Sequence, residues 1–262
     1  QFYLFGTAVL RLFFKNNKTV FVKIGDNVIA VHFGGGWYTH RCRVFGLPKA
    51  IYCISAETSD GVKNYCSDTN CRIGKSFVED YDFTEFETHN YTDFSSCFDT
   101  EFDDSGWEYA TPTEPLETEY CSTECPWDKL IEKLPVEKVG QGESGMVYDC
   151  GENTTGYPVL EVDAPAGETI CVYFSEEILP DGKIDREHAQ GQVFTIVSDG
   201  KKRLVQPEFT WFGFRCFEVV GNATPKFVKV IHADVPINST FDCDNETLNW
   251  IYKTFIHTMH CN

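Results

Sequence analysis

Residues 79–104 carry ten Asp and Glu, seven Phe and Tyr, and no Lys or Arg. Clustered carboxylate oxygens suit a hard cation such as calcium, and interleaved aromatic rings can form a platform for a sugar. No EF-hand-like spacing is present, so the alternative is a solvated loop whose rings tuck into the edge of a sheet. Three other groups carry metal-type chemistry: Cys66 with Cys71 and Cys121 with Cys125 are close pairs, and His257, His260 and Cys261 cluster near the end. A structural zinc needs four converging ligands, and no second pair of sensible spacing follows either couple.

Nucleophilic chemistry finds less support. Gly142-Glu143-Ser144-Gly145 brushes against a nucleophile elbow, but strand-like residues follow where a helix is required. His32 to Gly36 (HFGGG) has the look of an oxyanion-hole loop, yet without a nucleophile it reads as a glycine turn. No phosphate-binding or dinucleotide glycine pattern occurs. Forty Asp and Glu cannot be narrowed to a general acid and base by sequence alone. Composition and spacing therefore single out no catalytic residue.

The elements that would position such groups are mostly strands. "KTVFVKIGDNVIAVHF" reads as two strands around Gly25-Asp26-Asn27, and "KAIYCISAE" as another. "ETICVYFSEEIL" turns at Pro180-Asp181-Gly182, where Pro presets φ and Gly takes a positive φ. "GQVFTIVS" and "KRLVQPEF" flank Asp199-Gly200, a hairpin signal. "FGFRCFEVVG" and "PKFVKVIHADVPI" complete the set. Three prolines and weak periodicity mark 113–143 as a connector. The expected organisation is all-β, two β-sandwich domains of jelly-roll type in tandem. They run over 1–112 and 144–236, with 237–262 as a linker and helix.

That helix is the exception to the strand pattern. Leu248, Ile251, Tyr252, Phe255, Ile256 and Met259 form one apolar stripe, with Asp244 as the N-cap and Glu246 in the first turn. It either docks back on a sheet or opens a helical domain, and with no stop signal before Asn262 the chain reads as cut. Gln1 and the apolar run from Phe2 to Phe14 give the same impression at the other end. That run is too short to span a bilayer and lacks the features of a signal peptide.

A formal charge of −18 argues against nucleic acid or an anionic membrane surface as partner. Twelve cysteines fit either the disulfides of a secreted protein or small buried hydrophobes in a reducing cytoplasm. Sequons at Asn17, Asn90, Asn153, Asn222, Asn238 and Asn245 lean to the first, and strand-internal Cys53 and Cys171 to the second. A cytoplasmic location is expected, secretion being the alternative.

Three segments carry a resemblance. "YDCGENTTGY" (148–157), "PAGETICVYFSEEILPDGKI" (165–184) and "PEFTWFGFRCFEVVG" (207–221) resemble the non-catalytic β-domain of bacterial α-L-rhamnosidases. Asp149, Gly151, Asn153, Gly156, Gly167, Asp181, Gly182, Phe209, Gly213, Phe214, Arg215 and Val219 follow the family's pattern in order. Cys150 and Cys216 stand where an aromatic is usual. "INSTFDCDNETLNWIY" is similar to the family's entry into its helical barrel. "GDNVIAVHF" and "FDDSGWEYA" are similar to its N-terminal jelly roll.

The resemblance implies part of a glycoside hydrolase that removes terminal α-L-rhamnose with inversion, its catalytic carboxylates lying in a barrel outside these residues. It implies β-domains that pack against that barrel and a rhamnose-containing carbohydrate as partner. In some members an N-terminal module binds rhamnose with calcium, for which Asp80 and Asp82 are the candidate ligands; no other cofactor is expected. On ordinary packing grounds Gly151, Gly156 and Gly213 serve turns or close strand approach, and Arg215 is a hydrogen-bonded strand residue. Trp37, Trp107 and Trp211 read as core or rim packing.

Overall fold

The computed structural model describes residues 2–5, 32, 34, 49–58, 60–82, 84–93, 101–114, 126, 128–187 and 191–261. The strands expected around Gly25-Asp26-Asn27, the HFGGG turn apart from His32 and Gly34, Trp37, Asn17, and Cys121 with Cys125 lie outside the described residues. The chain divides into two compact units, 1–77 with 94–123 and 78–93 with 124–262.

In the first unit β1 (Phe2–Phe5), β2 (Lys49–Thr58) and β3 (Gly61–Cys66) form an antiparallel sheet in that order. The expected "KAIYCISAE" strand is β2, and Gly61 opens β3 at φ 107°. Cys66 is disulfide-bonded. β4 (Arg72–Ile73) pairs with the short strand Glu108–Tyr109, which is β7 in chain order. Arg72 lies 3.8 Å over the Tyr109 ring and donates to the Trp107 carbonyl at 3.0 Å. Trp107 meets Phe102 edge-on, and a Cβ on Gly74 would stand 2.0 Å from its indole. Trp107 is therefore a packing residue.

The second unit is one curled sheet of ten strands. They are β5 (Val78–Asp82), β6 (Phe86–Asn90), β8 (Asp128–Leu134), β9 (Glu137–Gln141), β10 (Met146–Val162), β11 (Thr169–Ser175), β12 (Val193–Val197), β13 (Arg203–Val205), β14 (Phe212–Val220) and β15 (Ala223–Ala233). The order is β5-β6-β12-β11-β14-β10-β15-β8, with β9 and β13 also paired to β10.

The 17 residues of β10 explain the curl. Its first part, Met146 to Asp149, lies between β9 and β14, and its last, Leu160 to Val162, between β13 and β15. A strand shared by two sets of neighbours must bend, and the pairing with β14 is irregular between Asp149 and Thr154, where Gly151 has φ 90°. On the β14 side pairing stops at Gly156 and resumes with β13 at Leu160; Pro158, which has no N–H to donate, occupies that gap.

The turn chemistry is as expected, but its consequence differs. Gly200 and Gly221 take positive φ, yet β12 does not pair with β13, nor β14 with β15. β12 joins β11 and β6 while β13 joins β10, so Asp199-Gly200 carries the chain from one part of the curl to another and does not close a hairpin. Pro180-Asp181-Gly182 does reverse the chain locally, with Leu179 N–H donating to the Lys183 carbonyl at 2.7 Å. Residues 128–141, read from sequence as connector, form β8 and β9; the acidic stretch supplies β5 and β6, and β6 pairs with β12 in parallel.

The curl encloses an aromatic core. Phe174 on β11 stacks on Phe212 at 4.1 Å and lies 4.9 Å from Phe214, which meets Phe217 edge-on at 5.8 Å. All four are fully buried, and each ring removes enough apolar surface to contribute roughly 2–3 kcal/mol. Cys216 packs beside Val147 and Ile184 with its thiol donating to the Ser175 carbonyl, and the Cys150 thiol donates to the Arg215 carbonyl at 2.8 Å. Burial pushes both thiols up to about 12. A thiol reagent at pH 8 is expected to leave Cys150 and Cys216 unlabelled in the folded chain and to reach both in denaturant; peptide mapping of the labelled sites checks this.

The helix α1 (Glu246–His260) caps on Asn245, whose Oδ1 accepts from Leu248 N–H, and not on the expected Asp244. Both side chains suit an N-cap, and Asn245 holds the extended backbone that the cap requires. Glu246 lies in the first turn as expected.

Candidate functional site

Asp80 and Asp82 both lie on β5, two residues apart. Asp80 Oδ1 accepts from Tyr81 N–H, and Asp82 Oδ1 accepts from the N–H and hydroxyl of Thr84 at 3.0 and 2.6 Å. The second pair shapes the β5–β6 turn. Among the described residues no three or more His, Cys, Asp or Glu side chains gather where a metal ion would sit.

The strongest concentration of ionisable groups lies next door, on β6. Glu87 and His89 point inward and are fully buried, with Tyr91 just beyond the strand. Glu87 accepts the backbone N–H groups of Glu208, Phe209 and Thr210 at 2.6, 2.9 and 2.8 Å, and meets His89 Nε2 at 2.5 Å. Burial opposes its charge, but His89 and these N–H groups hold its carboxyl below the usual range. His89 Nδ1 lies 3.1 Å from the Tyr91 hydroxyl, and the Arg203 guanidinium sits over the Tyr91 ring. The arrangement fastens the 208–210 loop to β6. Sealed from solvent, it has no face to offer a substrate.

A second buried carboxylate works the same way. Glu218 on β14 accepts from Ser144 N–H and Gly145 N–H at 2.7 and 2.6 Å and from Arg186 Nη2 at 2.8 Å. Burial raises its carboxyl, and the Ser144 N–H and Arg186 outweigh that and hold it low. Arg186 in turn lies 3.8 Å over the Tyr173 ring. The Gly142–Gly145 segment is thus a β9–β10 turn tied to a carboxylate, with strands on both sides and no elbow geometry. On the outer face Arg215 forms a two-pronged pair with Asp149, through Nε at 3.1 Å and Nη2 at 2.9 Å. Arg215 is a hydrogen-bonded strand residue, as expected.

The His257, His260 and Cys261 cluster anchors the end of α1. His257 Nε2 lies 2.6 Å from the Asn153 carbonyl, the Cys261 thiol donates to the same oxygen at 3.4 Å, and His260 stacks on His232 with ring centroids 4.4 Å apart. Thr155 donates to the Ile231 carbonyl and reaches the His260 carbonyl. The last turn of the helix therefore sits on the bulge of β10. The rest is open: Leu248, Trp250, Ile251, Phe255 and Met259 are exposed, and Trp250 and Phe255 are each more than 60% exposed. Tyr252 steadies the middle by donating to the Ser239 carbonyl at 2.6 Å.

Sequence reasoning missed Glu87, His89 and Glu218. The signal for the first two was the alternation of "FETHN", which in a strand turns Glu and His to one face. Glu218 carried no signal, since β14 is buried on both faces around it.

Residues 139–235 match the family model of the bacterial alpha-L-rhamnosidase concanavalin-like domain. An alpha-L-rhamnosidase of Streptomyces avermitilis is 25% identical over 251 residues, covering 88% of this chain and 24% of that protein. One from Formosa agariphila is 22% identical, covering 90% of this chain and 28% of that protein. The chain thus spans about a quarter of the length of these relatives. The solved alpha-L-rhamnosidase from Dictyoglumus thermophilum shares the fold with a TM-score of 0.77 at 24% identity, over 88% of this chain and 27% of that one. The Streptomyces avermitilis enzyme, solved in complex with L-rhamnose, gives 0.73 at 22% identity, over 87% of this chain and 24% of that one. Residues 139–235 are thus similar to the concanavalin-like domain of bacterial alpha-L-rhamnosidases, and the chain shares the fold of a β-portion of the solved alpha-L-rhamnosidases.

Proposed function

We propose that the chain is the supporting β-portion of a glycoside hydrolase whose complete form removes terminal α-L-rhamnose from glycosides. The observation that carries this reading is α1. It is capped, anchored through its last turn on β10, and leaves Leu248, Ile251, Phe255 and Met259 open, as a helix does that packs against further helices. The buried carboxylates Glu87 and Glu218 are each engaged by several donors, which suits holding loops and not protonating a leaving oxygen. The acid and base of the hydrolase belong to helical sequence beyond β15 and α1, and a rhamnose-containing glycoside is its substrate.

The test uses a chromogenic α-L-rhamnoside. The 262-residue chain is expected to give no turnover, whereas the product of the source reading frame extended beyond Asn262 is expected to hydrolyse it. Turnover by the shorter chain, abolished by changing one of its own acids, overturns the reading. Saturable heat on titrating the chain with L-rhamnose, with or without calcium, would make it a carbohydrate-binding module instead.

A further inference from the structure

We propose that the chain is N-glycosylated, with Asn238 as the principal site among the described residues. Six Asn-x-Thr triplets occur among twelve asparagines, where the Ser and Thr content gives about one or two by chance. All six have Thr in the third place. Cys66 is disulfide-bonded, an independent mark of an oxidising compartment, which is also where such triplets are read. The thiols left in the core of the second unit suit that compartment, because burial at Cys150 and Cys216 shields them from oxidation. Of the two locations open from sequence, this is the secreted one.

Asn17 lies outside the described residues, and the structure sorts the other five triplets. Asn90 is half-buried, its amide donating to Glu79 Oε1 at 2.8 Å and its Oδ1 accepting from Thr92. Asn153 carries the anchored end of α1 on its carbonyl, and Thr155 is buried with its hydroxyl on the Ile231 carbonyl. Asn222 clamps the Glu168 carboxylate through both N and Nδ2. Asn245 is exposed but uses its Oδ1 to cap α1. Asn238, Ser239 and Thr240 are all exposed, in the segment without regular structure between β15 and α1. The Ser239 carbonyl is held by Tyr252, which steadies this stretch while the Asn238 amide stays open to solvent.

In the transfer the Asn238 amide nitrogen bonds to the anomeric carbon of an oligosaccharide linked to a lipid pyrophosphate. The carbon–oxygen bond to phosphate breaks, the lipid pyrophosphate leaves with the electron pair, and the amide gives up one proton. The protein isolated from its source is digested, and peptides are treated with peptide N-glycosidase in heavy-oxygen water. Conversion of Asn238 to heavy-oxygen Asp is the expected result, with Asn90 unchanged. Source protein with bare Asn238 overturns the proposal, and so does conversion at Asn90 with Asn238 bare. Neither outcome depends on rhamnoside hydrolysis.

Discussion

Gly156→Ala is expected to lower stability by about 4 kcal/mol or more, enough to abolish soluble folded protein in a domain of ordinary stability. Gly156 lies where β10 is paired to Phe212 of β14 on one side and Val230 of β15 on the other. Its φ of 149° is one that L side chains rarely adopt. A Cβ there would stand 1.9 Å from the carbonyl oxygen of Lys229, a backbone atom held in the ladder with β10. A flexible side chain could swing away, but this oxygen moves only if the sheet opens. Gly213→Ala is the matched control. It lies opposite Thr155 in β14, a built Cβ meets nothing within 4 Å, and its φ is not positive. The control is expected to melt within about 1 kcal/mol of the parent. Equal denaturant midpoints for the two variants would show that the close approach of the Lys229 carbonyl does not exclude a side chain at Gly156.

The same pair shows what the sequence revealed. Both glycines read as positions of turn or close approach, which holds for Gly156 and not for Gly213. A spacing pattern reports that a side chain is absent, not which atom would have met it. The turns behave alike. Pro180-Asp181-Gly182, Asp199-Gly200 and Gly221 turn as their residue types require, because positive φ is a local property. Which strands those turns connect is not local. β12 finds β6, more than a hundred residues earlier, because both bury alternate residues on the same face of the curl. "DKLIEKL" carries the alternating charge of an edge strand, but prolines on both sides hid it within an apparent connector.

The networks were less legible still. Nothing in "FETHN" says that Glu87 will receive three backbone N–H groups from residues 208–210, since these have no side-chain signature and lie 121–123 residues away. The amphipathic stripe of α1 was legible because a helix writes its period into adjacent residues. Its anchoring was not, because His257 meets a backbone carbonyl created by the β10 bulge.

Glu87→Ala is expected to cost about 3–5 kcal/mol, the scale for breaking a buried charged cluster by removing one partner. The carboxylate is fully buried, and its loss would orphan the N–H groups of Glu208, Phe209 and Thr210 and leave His89 facing a void. Glu87→Gln tests the charge separately. The amide keeps the shape but turns an NH₂ toward groups that are themselves donors, so it is expected to lie between the parent and alanine. Its pH dependence has a definite sign. The folded-state carboxyl is held below its unfolded range, so its stabilisation is complete above that range and is lost as pH falls through the folded value. Thermal melts followed by circular dichroism from neutral to acid pH should therefore converge: the gap between parent and Glu87→Gln is widest at neutral pH and narrows in acid. A gap that stays constant with pH would mean that Glu87 contributes shape and packing alone, and that its charge does not hold the 208–210 loop to β6.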